Sequence, residues 1–281
     1  MNVSTSGVTV VLSGGGAKTA AHVGAARAIA EAGLVPVRYV ATSMGAVVAA
    51  ALAEGGTGED LVDRLAEAGR TGVVPDSLAV VKGLYSRSLL RATPFRRAVE
   101  ILVSARRFAD LPVPLTVCVA DLDTGDLMRF GDSGEDAPLV DVLCAACALP
   151  VYFPAVRLAG RRCGDGGLRG PLPLETAAWL ARETVVAVDV GPGFDAVEGE
   201  SPAPGSALPI VRAHDDATGI LMANTTAAQL ALWRADGGRP PLVYVRPRAE
   251  RNATFRVDRV RRYAEDGYRA TRDALAADRR P

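Results

Sequence analysis

Three short segments hold the residues that could do chemistry. The first is Ser13-Gly14-Gly15-Gly16, which follows the β-branched run Val8 to Leu12 and precedes a helical pattern at Ala20, Val23, Ala26 and Ile29. Three glycines between a strand and a helix expose a row of backbone N–H groups at a helix N-terminus. There the orphan donors and the helix dipole both favour an anion. A nucleotide phosphate, a dinucleotide pyrophosphate and a transient oxyanion are the candidates. The phosphate loop fails on spacing, because its pattern needs Gly at the positions of Ala17 and Leu12 around Lys18-Thr19. The dinucleotide fingerprint fails too. Thr19 stands at its third glycine, and the second strand ends Tyr39-Val40-Ala41 without a carboxylate.

The second segment is Ala41-Thr42-Ser43-Met44-Gly45, between a strand at Val37 to Ala41 and a helix of small residues at Met44 to Ala53. It approximates G-x-S-x-G, in which a sharp strand-to-helix turn lifts a serine hydroxyl above the sheet. A helix cap is the plainer reading of such a serine, but its place one crossover after an anion-binding loop favours a nucleophile. That serine needs a base, and the chain has only His22 and His214. His22 falls on the first helix, where packing or capping is expected. His214, in Ala213-His214-Asp215-Asp216, is the only histidine left for a triad. The third segment, Cys163-Gly164-Asp165-Gly166-Gly167, offers a carboxylate among glycines at a strand end, with room for close approach by another loop. An Asp-Gly turn is the alternative.

The elements that must position these segments read as β-loop-α-β-turn-α, the start of a parallel sheet with helical crossovers. Helices are expected over Gly58 to Gly69, through most of Arg87 to Phe108 with Pro94 opening a second part, and over Val257 to Ala277. Strands are expected at Leu115 to Ala120, Leu127 to Phe130, Val185 to Val190 and Leu242 to Val245, with a hairpin joining Val156–Leu158 to Arg161–Cys163. The Gly/Pro-rich stretch from Gly191 to Leu208 reads as a long loop near the site. No repeat or boundary divides the chain, so 1–281 is expected to be a single domain.

Composition narrows the function classes. The 281 residues carry 32 basic and 32 acidic side chains, and this neutral balance gives no field that would recruit nucleic acid. No apolar run approaches the roughly 20 residues of a membrane span, and Met1 to Gly7 lacks a signal-peptide core; a cytoplasmic protein is expected. Cys144 and Cys147 form C-x-x-C without a second pair at zinc spacing, in a run that reads as buried helix, so no metal is expected. From Arg234 onward 13 arginines face 7 acids, a surplus that suits peripheral contact with an anionic membrane or a salt-bridged closing helix.

Taken together, Ser13 to Lys18 with His22 and Gly24 resembles the oxyanion loop of patatin-like phospholipases. Ala41 to Gly45 is similar to their nucleophile elbow, and Asp165-Gly166-Gly167 to their D-G-[AG] motif. Ala145 to Pro154 resembles the segment that precedes that Asp in bacterial members, and Val117–Asp126 and Val185–Val190 fit as well. Ala41 and Thr19 depart from the family pattern, in which Gly is usual at both places. The resemblance implies a three-layer α/β/α fold around a central, mostly parallel sheet and a Ser–Asp dyad without His or cofactor. In it Ser43 would attack an ester carbonyl of a lipid and Asp165 would take the proton. The N–H groups of Gly15 and Gly16, helped by Met44, would hold the oxyanion. Gly14, Gly45, Gly166 and Gly167 would support the turns, and Lys18 would steady the loop, attract an anionic head group or simply be solvated. A catalytically weak scaffold that binds lipid or protein is the rival, favoured by Ala41 and Thr19; acyl transfer by the same dyad is another.

Overall fold

The computed structural model describes residues 6–76, 88–192, 208–250 and 253–278. Its centre is an eight-stranded sheet. Strands β1 (Ser6–Leu12), β2 (Leu34–Thr42), β3 (Leu115–Asp121), β7 (Val185–Val188) and β8 (Leu242–Val245) run parallel in the order β3-β2-β1-β7-β8. Strands β4 (Leu127–Gly131) and β6 (Arg161–Asp165) pair antiparallel with β3, and β5 (Val156–Leu158) completes a hairpin with β6.

Helices cover both faces, which is why the central strands are apolar runs rather than alternating ones. Val8, Val10 and Leu12 of β1 join the core of one face, while Val11 joins the core of the other. The first face holds α1 (Ala21–Glu31), α2 (Ser43–Ala53), α3 (Gly58–Gly72), α4 (Ala92–Leu102), α5 (Leu139–Ala146) and α8 (Val260–Asp278). The second holds α6 (Leu174–Leu180) and α7 (Pro209–Ala235). Residues Gly45 to Ala53 of α2 are all buried, and their small side chains let this helix sit at the middle of its layer.

The structure departs from the sequence reading at three helices. Only Ala92–Leu102 is helical within the Arg87 to Phe108 stretch, apart from a single 3₁₀ turn at Phe108–Asp110: Pro94 sits in the first turn of that helix, and the backbone is extended again at Val103. Residue 87 lies outside the described residues. Helices α6 and α7 have no counterpart in the sequence pattern. Helix α7 runs 27 residues but carries aliphatic side chains on both its buried and exposed sides, which flattens the periodicity a sequence reading depends on. The loop expected over Gly191 to Leu208 falls largely outside the described residues.

The arginine-rich end is largely neutralised by local partners. Arg239, Arg246, Arg256, Arg259, Arg261, Arg262, Arg269 and Arg272 each lie within ion-pair distance of a carboxylate. Of the two explanations for the surplus, the salt-bridged closing helix is therefore the one these contacts favour. No helix among the described residues is long and apolar enough to cross a membrane.

Candidate active site

Two strands meet head to head to build the site. Strand β2 pairs with β3 up to Thr42–Cys118, and β6 arrives from the opposite direction to pair Asp165 with Val119. Strand β4 occupies the other edge of β3 at these rungs, so β2 and β6 share one edge. Ser43 leaves the sheet where β2 ends, and Asp165 leaves it where β6 ends. Adjacent rungs of β3 thus bring together residues that are 122 positions apart in the chain.

At the turn, Ser43 adopts a φ of +52°, a left-handed conformation unfavourable for a residue with a side chain. The turn is possible because its neighbours are small. A Cβ on Gly45 would lie 2.3 Å from the Ser13 carbonyl oxygen, and one on Gly166 would lie 2.2 Å from that of Cys118. Ala41, the departure from G-x-S-x-G, is fully buried in β2 between Leu12 and Val117 without breaking the ladder. Ser43 Oγ donates to Asp165 Oδ2 at 2.7 Å, and Asp165 Oδ1 accepts the Gly167 N–H at 2.7 Å. Burial holds the Asp165 carboxyl up at about 6, against the two hydrogen bonds that favour its ionised form. Such a carboxylate can accept a proton near neutral pH.

The glycine loop lies against this pair, with Gly14 so close that a Cβ there would sit 2.8 Å from Ser43 Cβ. Ser13 ties the loop to the segment after β7 by accepting the Val190 N–H at 2.8 Å. The Gly14 N–H goes to Pro171 O and the Ala17 N–H to Thr254 O, whereas those of Gly15 and Gly16 have no backbone acceptor among the described residues. Met44 adds a first-turn N–H of α2 that lacks an intrahelical partner. Gly16 has a φ of +59°, and a Cβ there would lie 2.2 Å from Thr254 O, so only glycine fits. Thr19, the other departure, donates to Gly16 O at 2.7 Å and holds that peptide in place.

The remaining candidates fall behind the loop or away from it. His22 is buried, its Nε2 is 2.8 Å from Ser13 O, and burial lowers its pKa to about 4. It is a neutral donor that braces the glycine loop, and it reaches neither Ser43 nor Asp165 by hydrogen bond. His214 lies on α7 with Nδ1 3.4 Å from Asp215 Oδ1 and does not line the cavity over Ser43. Lys18 is buried and donates to Gly191 O at 3.1 Å, which removes the solvated-charge reading and keeps the loop-steadying one.

An apolar cavity opens over Ser43, Met44 and Asp165. Its walls include Leu65, Phe95, Val99, Leu102, Leu149, Phe153 and Val260, and its empty volume is about 880 Å³, open mouth included. The lining suits a hydrocarbon chain. Cys147 also lines it. Burial pushes this thiol well above its ordinary range, and the nearby Asp165 charge adds to the shift, so it is a poor nucleophile beside the serine. Its C-x-x-C spacing points a sequence reading toward Cys144, not toward the cavity.

A family model described as Patatin-like phospholipase matches residues 10–178, more than half of the chain and all three glycine-containing segments. The chain belongs to the patatin-like phospholipase family. Among the relatives of this patatin-like chain is an uncharacterized NTE family protein of Mycobacterium tuberculosis, 29% identical over 195 residues that cover 67% of the chain and 52% of that protein. Patatin-like phospholipase domain-containing protein 6 of Homo sapiens is 30% identical over 189 residues, covering 66% of the chain and 13% of its own length. The chain therefore matches about half of the mycobacterial relative and a small part of the human one. Among solved structures, VipD from Legionella pneumophila overlays on 97% of the chain and 67% of its own, at 14% identity and a TM-score of 0.46.

Proposed function

We propose that this patatin-like phospholipase is a serine acyl hydrolase that cleaves acyl esters of lipids, with Ser43 as nucleophile and Asp165 as general base. The observation that carries this reading is the 2.7 Å hydrogen bond from Ser43 Oγ to a buried Asp165 carboxylate at the base of an apolar cavity. Ser43 Oγ attacks the ester carbonyl while Asp165 Oδ2 takes its proton. The negative charge that develops on the carbonyl oxygen is held by the N–H groups of Gly15 and Gly16, with that of Met44 as a third donor. Each such donor is worth roughly 10²–10³ in rate. Collapse of the tetrahedral intermediate leaves the acyl group on Ser43, and Asp165 returns the proton to the departing alcohol. Water then attacks the acyl-enzyme with Asp165 again as base, releasing the fatty acid. His22 and His214 have no role in proton transfer.

The weak-scaffold reading rests on Ala41 and Thr19. Both fit the site: Ala41 keeps its ladder, and Thr19 anchors the Gly16 peptide. Nothing in the cavity favours acyl transfer to an alcohol over hydrolysis. The test is hydrolysis of short p-nitrophenyl esters and of a phospholipid by the wild type, Ser43→Ala and Asp165→Asn. Both variants should stay folded by circular dichroism and lose nearly all activity. Wild-type rates in a folded Ser43→Ala protein would overturn the assignment.

A further inference from the structure

One residue beyond β7 stands a buried acid that neither the dyad nor the cavity uses. Asp189 is 3% exposed and lines no part of the acyl cavity. A carboxylate that deep persists only when it is paired and hydrogen-bonded. Its Oδ1 accepts the Gly191 N–H at 2.9 Å. Its Oδ2 accepts from Tyr244 Oη at 2.8 Å and lies 2.9 Å from Arg246 Nη1, which also donates to Asp189 O at 3.1 Å. The 189–191 turn is thereby fixed at both ends and tied to β8, where Val245 O accepts the Asp189 N–H.

The glycine loop rests on this turn. The Val190 N–H donates to Ser13 Oγ at 2.8 Å on one side of Gly14–Gly16, and Gly191 O accepts from Lys18 Nζ at 3.1 Å on the other. Between these anchors, a Cβ on Gly15 would lie 2.8 Å from Val190 O, so the loop touches the turn there as well. Arg246 Nη2 stands 3.5 Å from Gly191 O. Two cations thus converge on one carbonyl, and the Asp189 carboxylate beside Arg246 offsets their repulsion.

We propose that Asp189 is a positioning residue for acyl-ester cleavage, acting through the 189–191 turn to hold the Gly15 and Gly16 N–H groups where the oxyanion forms. The inference rests on the acyl-hydrolase reading of the site. Asp189 binds the turn and β8 rather than Ser43 or Asp165, so its influence passes through the backbone it fixes. Oxyanion donors work by preorganisation, and a displacement of about 1 Å costs on the order of 10² in rate. Asn at position 189 keeps the shape but not the bonding. One end of an amide is itself a donor, so it serves either the Gly191 N–H or the donors on the Oδ2 side, not both.

The test compares kcat/KM for a soluble p-nitrophenyl ester and for its thiono analogue, in which sulfur replaces the carbonyl oxygen. Sulfur accepts hydrogen bonds weakly, so aligned N–H donors favour the oxygen ester, and that preference reports their alignment. The ratio of the two values divides out the fraction of active enzyme, so partial unfolding does not move it. Asp189→Asn should lower kcat for the oxygen ester about 10²-fold with KM near the wild-type value, and should lower the oxygen-to-sulfur ratio about tenfold. Arg246→Lys keeps the charge but loses the fork that spans Asp189 Oδ2 and the two carbonyls. It should shift the ratio in the same direction, and it decides the question if the Asn variant does not fold. An unchanged ratio in the deciding variant, with the wild type active, would overturn the proposal and leave the dyad standing. A wild type that cleaves neither ester would sink the acyl-hydrolase reading and the positioning role with it.

Discussion

Replacing Asp165 by Asn should make the protein more stable and nearly inactive, with the stability gain growing as pH rises. Burial holds the Asp165 carboxyl at about 6 in place of its ordinary 3.8. Between those values the folded protein keeps a proton that the unfolded chain has released, so this group's contribution to stability falls as pH rises through that window. At about 1.4 kcal/mol per unit, the ionised carboxylate costs roughly 3 kcal/mol once the pH is above its folded value. Asn has the same shape, can still accept the Gly167 N–H, and never ionises. Urea denaturation of both proteins between pH 4 and 8 isolates the group. The stability difference in favour of Asn should widen by roughly 2.4 kcal/mol from pH 4 to pH 7 and then level off. Catalysis should move the opposite way: wild-type kcat/KM should rise through about pH 6 and reach a plateau, and the Asn variant should lose about 10²–10⁴ in rate. A difference that is flat with pH, or one that grows in favour of Asp, would refute the argument from burial.

Three other perturbations probe separate parts of the site. Gly45→Ala places a Cβ 2.3 Å from the Ser13 carbonyl oxygen in the central helix, and should lower the melting temperature sharply or prevent folding; a normal Tm with normal activity would mean the elbow is looser than described. His22→Gln and His214→Gln should keep most of their ester hydrolysis, because neither imidazole reaches the serine; a loss of orders of magnitude in either, in a folded protein, would replace the dyad with a triad. Ala98→Phe fills the acyl cavity that Ala98 lines, and should cut kcat/KM for long-chain esters at least tenfold while sparing acetate esters; an equal effect on both chain lengths would move the acyl site elsewhere.

Much of the site is legible in the sequence, for identifiable reasons. A strained serine turn and a donor loop tolerate only the smallest residues, so Gly14 to Gly16, Gly45 and Gly166 mark their places by residue type alone. Strands buried on both faces read as apolar runs, and β1, β2, β3 and β7 announce themselves that way. What the sequence does not convey is the head-to-head meeting of β2 and β6 on one edge of β3, since register between distant strands leaves no local trace. It also misdirects attention at Thr19, whose hydroxyl anchors Gly16 O rather than weakening the loop. Lys18 is equally misleading. A lysine is normally exposed, yet this one is buried with its ammonium on Gly191 O. Helix α7 escapes notice because its exposed side is nearly as apolar as its buried side.

The central claim is that Ser43 is the acyl-accepting nucleophile, and covalent labelling tests it most directly. A fluorophosphonate should add a single phosphonyl group to the wild-type protein, detected by intact mass, and peptide mapping should place it on Ser43. Ser43→Ala should stay unlabelled, and Asp165→Asn should label far more slowly, because the proposed acceptor of the serine proton is gone. A folded wild-type protein that resists the probe, or one that carries the label on any residue other than Ser43, would contradict the account.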